Sequence, residues 1–323
     1  MKRIADWSLI AFVLVTVAPA GAQQSRKIPR IGYLTLASLS SNLPRRDAFV
    51  AGLRDLGYVE GQNINIDYRY AESKAERLSE LAADLVRLNV DVIVAGGTQV
   101  NVIAKKATST IPIVMTNTDD PVGSGLVESL GRPGGNVTGL SSMSVELNGK
   151  RLELFKEAFP KVHNLGVVWY TASTPAFRET QTAAQNLGFN IRALEVHDPT
   201  DLDRAFALLT RERTDGFFPV TSAFMSANRK AIVEFAARNR LPALYPNREY
   251  VEDGGLMSYA ANIHAMNRRA AAYVDKILKG AKPADLPVEQ PTEFELLINL
   301  KIAKQIGVTI PASVLAQADK VIK

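Results

Sequence analysis

From Pro29 onward the chain alternates short apolar, β-branched runs with longer windows in which apolar residues recur every three or four positions. Continuous runs such as Val92-Ile93-Val94 suit strands covered on both faces, the pattern of a parallel sheet between helices. The alternation predicts strands at 30–34, 64–68, 90–95 and 111–116, with helices at 45–56, 75–88 and 99–107 between them. Glycine and proline punctuate 131–139, and a strong helix follows at 145–159. A second alternation then starts, with strands at 166–170, 190–194, 216–220, 242–245 and 255–259 and helices at 177–187, 201–209 and 227–239. The long helix predicted at 263–278 and the strand-like segment at 293–300 exceed what the second sheet can absorb, so part of the tail crosses back to the first. The expected fold class is α/β, with two doubly wound parallel-sheet lobes. Such sheets bind ligands outside the carboxyl ends of their strands, so two facing sheets make a cleft lined by strand-to-helix loops.

Length agrees, because about 300 residues exceed what one hydrophobic core usually organises. Lys2 and Arg3, the apolar run at 9–17 and Ala20-Gly21-Ala22 read as a signal peptide over 1–22, with cleavage before Gln23. That run is far shorter than the roughly 20 residues a membrane span requires. The chain has no cysteine, which excludes disulfides, thiol nucleophiles, Cys-based metal sites and a lipidated Cys anchor. A mature protein free in the periplasm is therefore expected. The net charge of +5 is spread along the chain and gives no nucleic-acid footprint.

Enzyme constellations are scarce. His163, His197 and His264 follow no metal-ligand spacing, and Gly123-Ser124-Gly125 completes neither the dinucleotide nor the phosphate-loop pattern. No catalytic residue, metal or cofactor is expected. More informative are the polar residues that follow strands. Gly96-Gly97-Thr98 opens a helix, so its backbone N–H groups and the Thr98 hydroxyl can receive a carboxylate, although a plain helix cap uses the same geometry. Asn117-Thr118-Asp119-Asp120-Pro121 places two acids at a turn with a helix expected from about Pro121; one can cap it, leaving Asp120 or its neighbour for an ammonium or hydroxyl. In the second lobe, Tyr170-Thr171-Ala172-Ser173, Thr221-Ser222-Ala223-Phe224 and Tyr245-Pro246-Asn247 offer aromatics and hydroxyls to a planar or apolar solute. The candidate ligand set is Ser38, Gly97, Thr98, Asn117, Asp120, Tyr170, Ser222, Phe224 and Tyr245. In it Thr98 and Asp120 hold the two charged ends of an amino acid, and Phe224 and Tyr245 sandwich its side chain.

The chain also resembles a known family, the substrate-binding proteins of ABC importers that include tryptophan- and tyrosine-binding proteins. The resemblance is carried by Gly57-Tyr58-Val59-Glu60-Gly61-Gln62-Asn63, Asp91-Val92-Ile93-Val94-Ala95-Gly96-Gly97-Thr98, Asp120-Pro121-Val122-Gly123-Ser124-Gly125, Arg132-Pro133-Gly134-Gly135-Asn136-Val137-Thr138-Gly139 and Gly254-Gly255-Leu256-Met257-Ser258-Tyr259. It implies a type I periplasmic-binding-protein fold with three interlobe crossings, near Ser141, Ala260 and Pro291. The lobes would then be 28–141 plus 261–290, and 142–260 plus 291–323. It implies a monomer that binds a small organic solute and hands it to an inner-membrane ABC permease. The lipid-anchor Cys of the Gram-positive relatives is missing here. A transcriptional repressor on this scaffold is disfavoured by the leader and by the lack of a helix-turn-helix ahead of the first lobe. The alternatives are a ligand-presenting periplasmic sensor module and an enzyme on the same scaffold.

Overall fold

The computed structural model describes residues 28–323, so the leader read at 1–22 lies outside the described residues. The first half runs β1 (Arg30–Thr35), α1 (Leu39–Asp55), β2 (Asn65–Tyr70), α2 (Leu78–Arg87), β3 (Val92–Gly96), α3 (Thr98–Ala107), β4 (Ile113–Thr118) and β5 (Val137–Ser141). These strands lie in the order β2-β1-β3-β4-β5, all parallel. Val92, Ile93 and Val94 are fully buried, as a strand covered on both faces must be. On α2 the buried residues Leu78, Leu81, Ala82 and Leu85 fall on one helical stripe.

Three local features depart from the sequence reading. Helix α1 begins six residues before the predicted start, because Ser38 caps it by accepting the Ser41 N–H while a polar first turn and the internal Pro44 mask the helical period. No helix starts at Pro121; residues 121–125 form turns, with Gly123 and Gly125 favouring them. The glycine-proline stretch conceals β5, a fully buried strand whose Thr138 hydroxyl donates to the Leu286 carbonyl at 2.6 Å and so is satisfied without an apolar sequence.

The chain continues with α4 (Leu147–Ala158), β6 (Asn164–Tyr170), α5 (Thr174–Asn186), β7 (Asn190–Val196), α6 (Pro199–Arg211), β8 (Gly216–Pro219), α7 (Ala223–Ala227), α8 (Arg229–Arg238), β9 (Leu244–Tyr245), α9 (Arg248–Glu252) and β10 (Met257–Ala261). It ends with α10 (Ile263–Leu278), β11 (Phe294–Asn299), α11 (Leu300–Ile306), α12 (Ala312–Leu315) and β12 (Lys320–Ile322). Strands β7-β6-β8 form a parallel group, and the Phe217 N–H on the Pro242 carbonyl (3.0 Å) brings β9 alongside β8. From there the order is β9-β10-β11-β12, with β11 antiparallel to β10. The second sheet is thus reversed at β11, and the cause is connectivity. Helix α10 packs on α1 and β4 of the first sheet. The returning chain passes Glu289, whose N–H bonds the Gly139 carbonyl at 2.9 Å, before it enters β11. Having left and re-entered the second sheet from the same end, the chain must run opposite to β10.

Helices α1 and α10 cross at close range. A Cβ on Gly52 would stand 2.3 Å from the Arg268 carbonyl oxygen and 2.9 Å from the Ala271 Cβ. Gly52→Ala must push backbone against backbone, and its denaturant midpoint should fall by the equivalent of about 1–3 kcal/mol. Unchanged stability would mean that the two helices separate without cost.

Candidate functional site, the cleft between the two sheets

The carboxyl ends of β1, β3 and β4 face those of β6, β8 and β9, and their loops enclose two adjoining cavities. The inner one, of about 40 Å³, is lined from the first sheet by Thr35, Asn42, Arg45, Gly97, Asn117 and Asp119, and from the second by Arg151, Thr221, Ser222, Arg229 and Asn247 among others. The outer one, of about 280 Å³, has a more apolar wall that includes Val102, Val145, Tyr170, Pro175 and Ala176. Asp119, Thr221, Ser222 and Ala223 line both, so the cavities meet at that acid.

Asp119 is held from two directions. Its Oδ2 accepts the Thr98 hydroxyl and its Oδ1 the Ser142 hydroxyl, each at 3.2 Å. Burial pushes this carboxyl up, while those hydroxyls and the Arg151 charge oppose the rise. Arg151 itself is almost wholly buried on α4. Its Nε donates to the Tyr259 carbonyl (2.7 Å), its Nη1 to the Ser144 carbonyl and Asn148 Oδ1, and its Nη2 to Ser144 Oγ and the Pro246 carbonyl. Among the described residues no carboxylate touches it, and burial pulls the guanidinium down to about 10, which leaves it cationic at neutral pH.

The walls touch across the cleft. Gln99 Nε2 donates to the Tyr170 hydroxyl at 3.3 Å, and Arg45 Nε donates to Glu249 Oε1 at 2.7 Å. Gly97, at φ 89°, caps α3 with its backbone alone, and a Cβ there would stand 2.9 Å from the Ala223 Cβ. Any larger residue would therefore be strained and would also wedge the two sheets apart.

The structure distributes the nine sequence candidates unevenly. Gly97, Asn117 and Ser222 line the inner cavity, and Thr98, Asp120, Tyr170 and again Ser222 line the outer one. Ser38 lines neither and serves as the cap of α1. Phe224 and Tyr245 are buried: Phe224 stacks on Tyr170 with centroids 4.6 Å apart, and Tyr245 stacks on Tyr250 at 5.0 Å. The aromatic sandwich expected of them is not formed, because each ring already has an intramolecular partner. Thr98 is not a helix cap, since its hydroxyl is committed to Asp119, donating to Oδ2 and accepting the Asp119 N–H. Of the paired acids, Asp120 accepts the Gly123 N–H at 2.8 Å and closes its own turn, whereas Asp119 reaches the junction of the cavities. Sequence reasoning missed Arg45, Arg151 and Arg229. Arg151 had a signal, because it shares the helical stripe of Leu147 and Leu154, where a lone charge is anomalous. Among the described residues no group of His, Cys, Asp and Glu could hold a metal ion.

A tyrosine-binding protein of Clostridioides difficile (strain R20291) is 28% identical over 279 residues, 85% of this chain and 80% of that protein. Three solved structures are also similar. A conserved domain protein from Vibrio cholerae matches with a TM-score of 0.85 at 29% identity, covering 91% of this chain and all of that one. An ABC domain from Streptococcus pneumonia in complex with L-Trp matches at 0.81 and 28%, covering 90% of this chain and all of that one. The open, ligand-free form of a substrate-binding protein with adhesive properties from Clostridium difficile matches at 0.64 and 26%, covering 92% of this chain and all of that one. The fold is that of type I periplasmic binding proteins. With residues 31–322 matched by the family model, the chain belongs to the ABC transporter substrate binding protein family.

Proposed function

We propose that this protein is the periplasmic solute receptor of an ABC importer, exported by its 1–22 leader, and that it closes on an α-amino acid with an aromatic or large apolar side chain. The observation that carries this reading is the polarity gradient along the cleft. Its inner end is walled by amides, hydroxyls and guanidinium groups and its outer end by Val102, Val145, Tyr170 and Pro175, with Asp119 between them. A zwitterionic head fits the inner end, its ammonium at Asp119, and an apolar side chain fits the outer. The tyrosine-binding relative and the L-Trp complex support the same class. The two lobes, 28–141 with 261–290 and 142–260 with 291–323, act as a monomeric clamp whose closed form an inner-membrane permease recognises. No chemical step is required of any residue.

Ligand linkage tests this directly. At about 100 times its Kd the bound amino acid adds roughly 2.7 kcal/mol to the unfolding free energy. A thermal-shift panel of aromatic amino acids, branched amino acids, aromatic acids and neutral sugars should therefore raise Tm with the aromatic amino acids. Stabilisation by a sugar alone would overturn the reading.

A further inference from the structure

We infer that Arg45 is the carboxylate receptor of the cleft and that the second lobe completes it through Glu249. The assignment rests on the amino-acid reading above and deepens it by naming the group that recognises the anionic end. Three guanidinium groups line the inner cavity: Arg45, Arg151 and Arg229. All the N–H-bearing nitrogens of Arg151 are engaged by protein acceptors, so it contributes charge but no free donor. Arg229 has its Nε beside Asp253 at 2.8 Å and its Nη1 on the Ser226 carbonyl at 3.3 Å. Arg45 has only its Nε engaged, and among the described residues its two terminal nitrogens have no hydrogen-bond partner. Those terminal nitrogens form the edge of the guanidinium that matches a carboxylate with two parallel bonds.

Arg45 stands on α1 of the first lobe, and the acid that grips it stands on α9 of the second. Glu249 is buried, and His264 Nε2 lies 3.5 Å from the same Oε1 that Arg45 contacts. Although burial opposes its charge, Arg45 and His264 hold the Glu249 carboxyl far below the usual range, so it stays ionised. Neither Glu249 nor His264 lines the cavity. They fix the Arg45 head from behind while its free edge is left to the solute. Across the same cavity, Asn247 is 6% exposed and among the described residues its side-chain oxygen has no partner, an acceptor suited to the ammonium of the same solute and not to its carboxylate. Because the grip on Arg45 spans the two lobes, the carboxylate site reaches its final shape only when they are together.

Isothermal titration of the full chain with three probes separates the possibilities: L-tryptophan, tryptamine, which lacks the carboxylate, and indole-3-propionic acid, which lacks the ammonium. Arg45→Gln should weaken L-tryptophan and indole-3-propionic acid about 10- to 150-fold, the loss of a hydrogen bond to a charged group, and leave tryptamine unchanged. Glu249→Gln keeps the guanidinium and should weaken the two acids by less than about tenfold. The double variant Arg45→Gln/Glu249→Gln, which strands no buried charge, should repeat the loss seen with Arg45→Gln and guards against a folding artefact. If Arg45→Gln and Glu249→Gln weaken all three probes equally, the pair is only a clasp between the lobes and the assignment fails while the amino-acid reading stands. If the parent binds indole-3-propionic acid but not L-tryptophan, and Arg45→Gln abolishes that binding, the amino-acid reading fails and the assignment stands. A parent that binds neither these acids nor any other aromatic or branched amino acid overturns both.

Discussion

Replacing Arg151 with methionine is expected to lower the unfolding free energy by about 3–5 kcal/mol, because several buried neutral acceptors lose their donor at once. Two effects oppose one another. Burial disfavours the guanidinium, as its lowered pKa shows, so an uncharged side chain of similar length relieves some strain on the fold. Against this, the Ser144, Tyr259 and Pro246 carbonyls, Asn148 Oδ1 and Ser144 Oγ all lose a donor. Ser144 Oγ keeps its bond to Thr221 Oγ1; a buried acceptor left unpaired costs about 1–3 kcal/mol, and the other four outweigh the single relieved charge even if the losses add only in part. The damage also falls at a mechanical junction. Ser144 lies just past the end of β5, where the chain leaves the first sheet, and Tyr259 lies in β10, just before it returns. Urea unfolding of parent and variant would measure the loss, and a difference below about 1 kcal/mol would show that water replaces the guanidinium without penalty.

The same residue shows where sequence reading succeeds and where it stops. Strands such as β3 were legible because two covered faces demand an unbroken apolar run, and α2 because one covered face demands a 3.6-residue period. Strand β5 was not, since the buried Thr138 hydroxyl is satisfied by the Leu286 carbonyl, a partner that no local pattern reveals. The site follows this division. The loops at Gly97, Asn117 and Ser222 could be named because every doubly wound sheet presents its strand ends to the ligand. Arg45 could not, because its partner Glu249 lies 204 residues away and only the third dimension joins them. Phe224 and Tyr245 misled in the opposite sense. An aromatic at a strand end fits a solute or a neighbour equally well until the neighbour is known, and here Tyr170 and Tyr250 are the neighbours.

Asp119→Asn should separate function from stability by moving them in opposite directions. The folded carboxyl titrates above its unfolded value of about 3.9, so the ionised acid is less welcome in the fold than in the unfolded chain. Its contribution to stability is fully present below the unfolded pKa and is lost as pH rises from there through the folded pKa. As that loss grows with rising pH, the amide, which has no charge to bury, should give a ligand-free protein at least as stable as the parent. The Thr98 and Ser142 hydroxyls can still pair with the amide, one donating to its oxygen and the other accepting from its nitrogen. Affinity should behave otherwise. An ammonium placed against Asp119 loses its charge partner in a largely desolvated site, which corresponds to about 2–5 kcal/mol, or roughly 30- to 5000-fold in Kd. Indole-3-propionic acid has no ammonium and should bind the variant as well as, or better than, it binds the parent. Melting curves without ligand, together with titrations of L-tryptophan and indole-3-propionic acid, test both halves. Equal losses for the two compounds would move the ammonium site away from Asp119. A drop in ligand-free stability would mean that the carboxylate is retained for the fold, leaving recognition to other groups in the cleft.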